Sequence, residues 1–213
     1  MTTKLKISSK ILRILAAGDR TKDFKIDERE IANDIDQLRS EMIVDEYLQN
    51  EAKGIQMIPG EYIKTYGNFA LLTDNGRRYI LLPARPIKFP MDKGILSIRP
   101  RDEIRESFIP MYNGHNELGG GLEAGYLENK CGYYPEGKRI YFTGNVNKLY
   151  SNNDPSLMPK PLLVRLVPDS QDIGIGDELA VSADMEKRIV AEILRLRAPF
   201  LNVTQDKAVD EIS

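Results

Sequence analysis

The run Asp27-Glu28-Arg29-Glu30, followed by Ile31, Ile35, Leu38 and Met42, restricts most what this chain can become. Spacings of four, three and four place the apolar residues on one stripe of an amphipathic helix. Asp27 and Glu30 read as a capping box, Asp27 accepting from the backbone while Glu30 reaches back. A helix from Asp27 to Gln49 measures roughly 35 Å at 1.5 Å per residue. A globule of 213 residues has a radius of gyration of only about 17 Å, so this helix crosses most of it. Before it, Ser8 or Ser9 can cap a shorter helix through Ile11, Leu12, Ile14 and Leu15, stopped at Gly18. A charged turn, Asp19 to Lys25, joins the two.

From Glu61 the pattern turns to short strands. Phe69 to Thr73 and Arg77 to Leu82 flank Asp74-Asn75-Gly76. Asn-Gly between two apolar runs is a strong hairpin signal, since both residues tolerate the positive φ of a type I′ turn. Pro83, Pro86 and Pro90 then mark an extended segment that cannot be a central strand. Gly94 to Arg99 and Ser107 to Met111 read as short strands. Leu122 to Tyr134 and Lys138 to Phe142 form a second hairpin around Pro135-Glu136-Gly137, and Pro161 to Val167 is the last strand, after a polar loop over Ser151 to Lys160. Ser182 or Asp184 can cap a closing helix with Met185, Ile189, Ile193 and Leu196 on one stripe, ending before Pro199.

This order predicts an α+β fold: a small antiparallel sheet or barrel of short strands, with two N-terminal helices and one C-terminal helix packed against it. The helices are the elements expected to cover the open sheet face. The expected organisation is one domain over 1–200 (helical 7–50, strand-rich 61–168, helix 183–197). A flexible C-terminal tail over 201–213 follows, with Asn202, Val203, Asp206, Val209 and Ile212 as candidate assembly contacts.

Thirty basic and 32 acidic residues leave a net charge of −2, which argues against a dedicated nucleic-acid binder. No apolar run approaches the ~20 residues that span a bilayer, and Ser8, Ser9, Lys10 and Arg13 interrupt any signal-peptide core. The expectation is a reduced protein, intracellular at synthesis. One cysteine, Cys131, and one histidine, His115, exclude an internal disulfide and any site needing two histidines or several thiolates.

The remaining chemical motifs favour ordinary structural roles. Gly119-Gly120-Gly121 is followed by Leu122 and Glu123 where a P-loop needs lysine and a hydroxyl, so it reads as a glycine-rich turn. His115 lies in that loop with no nucleophile elbow in the chain. Cys131, beside Lys130, reads as a half-buried strand cysteine. Asp169, Asp172, Asp177 and Glu178 miss the alternation of a calcium loop and read as a solvated acidic loop. No catalytic, metal or cofactor-binding residue is expected.

Arg77, Arg78, Arg85, Lys88, Lys93, Arg99, Arg101 and Arg105 form a basic stretch, with Tyr79 and Phe89 among them. Interleaved aromatics suit base stacking and clustered arginines suit phosphate contact. Asp92, Asp102, Glu103 and Glu106 offset part of that charge. The other reading is a polar face for an acidic neighbour, such as the Asp27 to Glu46 helix of another subunit. Arg77, Arg78, Arg85, Lys88, Arg99 and Arg101 are the candidate subunit or DNA contacts.

The middle and end of the chain carry a further pattern. Ile80-Leu81-Leu82-Pro83 leads to Pro86-Ile87, Phe89-Pro90 and Gly94-Ile95-Leu96-Ser97-Ile98-Arg99-Pro100. Phe108-Ile109-Pro110 follows, then the hairpin from Gly132-Tyr133 through Glu136-Gly137 to Ile140-Tyr141-Phe142, Leu163 to Val167 and the helix over Ala183 to Arg197. Over roughly residues 60 to 200 this succession resembles small virion structural proteins of tailed phages of Bacteroidetes, including the short-tailed crAss-like phages. The resemblance implies a non-enzymatic head-to-tail adaptor, a dodecameric ring subunit beneath the portal that surrounds the DNA channel in the virion neck or tail. Its implied partners are copies of itself, the portal protein, other neck and tail rings and, weakly, passing double-stranded DNA, with no cofactor and no membrane. The alternative is a DNA-contacting accessory protein using residues 77–105.

Overall fold

The computed structural model describes residues 2–16, 26–55, 57–90, 93–103, 106–111 and 129–210, with 198–210 described by backbone alone. The fold is α+β, with two N-terminal helices, one C-terminal helix and two small, mostly antiparallel sheets. It divides into two compact units, one formed by 1–62 with 173–213 and the other by 63–172.

The first unit is helical. Helix α1 (Lys4–Leu15) begins earlier than the serines predicted. Thr3 is its N-cap, the side chain accepting from the Lys6 N–H. Ser8 is instead fully buried on the inner face with Lys4, Ile7, Ile11 and Leu12. Recurrence at three and four residues makes that face continuous and brings Ser8 inside it. Helix α2 (Glu28–Ala52) starts as predicted, Asp27 accepting from the Arg29 N–H. Glu30 does not close the box; it approaches Arg197 at 3.4 Å. The buried stripe is also rotated from the predicted one. Ile31, Ile35, Arg39, Ile43 and Tyr47 are buried, while Leu38 and Met42 are half-buried. Two helices must be covered rather than one sheet, which widens the inner face.

Helix α3 (Ala183–Asp210) is capped by Ser182, whose Oγ accepts from the Met185 N–H at 3.1 Å. It buries Met185, Ile189, Val190 and Ile193. The predicted stop before Pro199 does not occur, and the helical backbone continues where a flexible tail was expected. A proline removes one i→i−4 bond but leaves the following turns able to form. The three helices pack pairwise. Lys4 and Asp36 make a buried ion pair at 2.8 Å. The fully buried Arg39 donates from Nε to the Ala180 carbonyl at 3.0 Å. Leu5 N–H to Ile175 O and Leu179 N–H to Thr2 O bind the chain's beginning to the segment entering α3.

The second unit is a two-sheet sandwich, not a barrel. One sheet has three strands in the order β1 (Lys64–Gly67), β8 (Leu162–Leu166), β4 (Ile95–Pro100). The other has five: β2 (Leu72–Asp74), β3 (Arg77–Leu81), β7 (Arg139–Gly144), β6 (Cys131–Glu136) and β5 (Ile109–Pro110). Both central hairpins form. Asn75 and Gly76 take φ of 47° and 78°, as the type I′ turn requires. The second turn lies one step later than predicted, so Pro135 and Glu136 are in β6. The lost Pro135 N–H costs no ladder bond to β5, which pairs only as far as Tyr133; among the described residues no other strand lies on that side of β6.

Ile80, Tyr133, Ile140 and Phe142 of the five-stranded sheet share one core with Ile95, Ile98, Leu162, Val164 and Leu166 of the other. Each sheet therefore covers the other's inner face, the role the sequence reading assigned to the helices. Strands of two to six residues, interrupted by proline, leave the sheets with edges rather than a continuous closing ladder.

Candidate interface on the outer sheet face

Alternation along the five-stranded sheet separates two faces. Arg78 and Ile80, Ile140 and Phe142, and Cys131 and Tyr133 point inward. Asp74, Arg77, Tyr79, Leu81, Arg139, Tyr141, Tyr134 and Glu136 share the outer face, as the registers Asp74↔Arg77, Tyr79↔Tyr141, Leu81↔Arg139, Tyr134↔Tyr141 and Glu136↔Arg139 require. Three tyrosines thus stand abreast on three adjacent strands, with Tyr79 and Tyr134 half-buried and Tyr141 between them only 6% exposed.

Their rings form a row. The centroids of Tyr79 and Tyr141 are 5.4 Å apart at 37°, and those of Tyr134 and Tyr141 are 5.4 Å apart at 16°. These separations fit the offset packing that aromatic quadrupoles favour. The Arg139 guanidinium lies 5.1 Å from the Tyr79 ring centroid and donates to the Tyr141 hydroxyl and to the Asp74 carboxylate, both at 3.1 Å. Arg77 approaches the Tyr134 hydroxyl at 3.5 Å. At the margins, Leu72 is 39% exposed and Leu81 is 54% exposed. Two guanidiniums are matched on this face by two carboxylates, Asp74 and Glu136. The surface is therefore aromatic and preorganised, without a positive excess.

The six predicted cationic contacts do not converge. Arg77 lies on the outer face and Arg78, one residue later, on the inner side, hydrogen-bonded to Thr73 with its guanidinium 5.9 Å from the Tyr150 ring centroid. Arg85 is held by Asp172, which accepts from both its backbone N–H at 2.8 Å and its Nε at 2.9 Å. Burial alone would raise the Asp172 carboxyl, but these bonds and the Lys138 ammonium at 3.0 Å outweigh it and hold it at about 2. Arg99 is on β4 with Nη1 buried, Arg101 donates to Asn68 Oδ1 at 3.2 Å, and Lys88 is exposed. Phe89 is buried, so it offers no stacking surface. Glu103 and Glu106 pair with Lys160 and Lys148 respectively. Lys93 lies within the described residues, whereas Asp92 and Arg105 do not.

Cys131 is buried and points into the core, and burial pushes its thiol up to about 12. Asp177 accepts from the Gly174 N–H. Among the described residues no group of three or more His, Cys, Asp and Glu side chains is placed to hold a metal. No helix among them is long and apolar enough to cross a membrane. His115, the Gly119-Gly120-Gly121 run and Ile212 lie outside the described residues, while Asn202, Val203, Asp206 and Val209 lie on the backbone of α3.

Sequence reasoning missed Tyr134, Tyr141 and Arg139. The available signal was a repeated alternation, Arg77-x-Tyr79 and Arg139-x-Tyr141, one in each hairpin. No known family pattern matches the chain, and no curated protein is similar to it in sequence.

Proposed function

We propose that this protein is a non-enzymatic structural subunit of a phage virion, a head-to-tail connector that assembles into a ring between portal and tail. The observation that carries the reading is the outer face of the five-stranded sheet. Tyr79 and Tyr134, propped by the buried Tyr141 between them, the exposed Arg77 and Arg139 and the lack of net charge have the composition of a protein-binding surface, in which Tyr and Arg supply most of the energy. Rings already stacked and guanidiniums already positioned lose little side-chain entropy on docking. The resemblance over roughly residues 60 to 200 supplies the virion context. The partners would be further copies of this chain, the portal and neighbouring rings, with passing double-stranded DNA touched only weakly. Its place would be the virion neck or tail, after synthesis in the host cytoplasm.

DNA contact through residues 77–105 draws less support, because the candidate cations are divided between two faces and several have acidic or amide partners within the unit. Quantitative mass spectrometry of purified particles from the source tests the connector reading. The expected result is a low fixed copy number, on the order of a dozen per particle as ring closure requires. Absence from the particle would overturn it. Salt-sensitive DNA binding that collapses on replacing Arg99 and Arg101 would favour the alternative.

A further inference from the structure

Among the described residues the largest apolar exposure is at the tip of a loop, not on a sheet. Met158 is 81% exposed and Leu157 beside it 42%. The loop that carries them is built. Ser151 N–H donates to the Met158 carbonyl at 3.1 Å, Leu157 N–H to that of Asp154 at 3.0 Å, and Lys160 N–H to that of Leu149 at 2.8 Å. Tyr150 and Pro159 form an antiparallel bridge at its base. The Asp154 carboxylate accepts from the Ser156 N–H at 2.9 Å and hydroxyl at 2.8 Å, which hold it below the usual carboxylate range. Met158 and Leu157 are thus presented beside a negative charge on a preformed projection.

This projection cannot meet the tyrosine row of its own sheet. Arg78 alternates with Tyr79 and points to the inner side, where its guanidinium lies near the Tyr150 ring. Tyr150 belongs to the core between the sheets. The base of the loop is therefore on the opposite side of the five-stranded sheet from the row.

We propose that the Leu157–Met158 projection of one copy docks against the half-buried Tyr79 and Tyr134, which flank the buried Tyr141, on the outer sheet face of a second copy. The naming of a second copy rests on the ring-subunit reading; the match itself rests on chemistry. A thioether packs favourably against aromatic ring edges. Leu157 finds apolar margin at Leu72 and Leu81, and the Asp154 carboxylate complements Arg77. Because knob and face are different surfaces on opposite sides of one sheet, the contact is heterologous. Such contacts propagate head to tail and close into rings when the rotation permits.

Cross-linking between two single-cysteine variants of the full chain tests this. Met158→Cys and Leu81→Cys are mixed at high concentration with a short bis-maleimide. Cys131 stays silent, since it is buried with its thiol pushed up to about 12. The expected product is a linked dimer containing one copy of each variant, well above the level in either variant alone. Links formed equally within the Leu81→Cys sample indicate face-to-face pairing and overturn the proposal, as does a mixture with no excess of mixed dimer. Met158→Asp is expected to weaken self-association at least tenfold in sedimentation velocity with unchanged thermal unfolding; unaltered association would equally overturn it. The copy number in particles is independent of both outcomes, so failure of this contact is distinguishable from failure of the connector reading.

Discussion

At the scale of single residues, the best-defined electrostatic feature is Asp172. Its carboxylate receives the Arg85 backbone and guanidinium N–H groups and the Lys138 ammonium. Because its folded pKa, about 2, lies below the unfolded value near 3.9, the stabilisation is present above about pH 4 and is lost as the pH falls through 2. Asp172→Asn is expected to destabilise the strand unit by about 1–3 kcal/mol at pH 7. The difference from the parent should shrink steadily below pH 4 in urea titrations. A pH-independent difference would show that shape rather than charge matters there. The buried pair Lys4–Asp36 makes the corresponding case in the helical unit. Asp36→Ala leaves the buried Lys4 ammonium without its carboxylate and should cost about 3–5 kcal/mol, read from the urea midpoint.

Among the described elements, the entry to β4 is tightly constrained. A Cβ on Gly94 would stand 2.2 Å from the Ile87 carbonyl oxygen, which is backbone and cannot swing aside. The same region is tied by the Ile87 N–H to the Val167 carbonyl and by the Val167 N–H to the Gly94 carbonyl. Gly94→Ala is expected to destabilise by about 1–3 kcal/mol as an overpacking change. Gly76→Ala differs in cause: nothing lies within 4 Å of the added Cβ, and its cost comes from a φ of 78°, about 1–2 kcal/mol for an L-residue. Chemical denaturation of the two variants separates these causes if Gly76→Asn, which tolerates the left-handed region, recovers much of the loss. The sequence pattern already marked the Asn75-Gly76 turn because its requirement is local. It gave no sign of Gly94, whose constraint comes from a segment that folding brings alongside.

Over the whole molecule, two cores are built from different stretches. The helical core joins residues from both ends of the chain, and the strand core lies within 63–172. Ile35, fully buried on α2, is expected to cost about 2–5 kcal/mol when truncated to alanine. Hydrogen exchange followed by mass spectrometry should then show faster exchange across 28–52 and 183–197, with 131–166 little changed. Equal acceleration in both regions would mean that the units unfold as one.

The sequence by itself determined the α+β class, the three helices, the Asn75-Gly76 hairpin and the cap at Asp27, and narrowed the cap of the closing helix to Ser182 or Asp184. Each of these depends on interactions among residues a few positions apart, so its signal survives in a linear reading. Only the tertiary structure decided that the strands divide into two sheets covering each other, and which face of each strand looks outward. It alone placed Tyr79 beside Tyr141 and Tyr134, and put Tyr150 on the inner side of that sheet. Strand pairing joins residues some sixty positions apart, and a one-residue slip would turn every side chain to the opposite face. The choice among registers is made by burying Ile80, Ile140 and Phe142 together, a non-local energy that no short window of sequence contains.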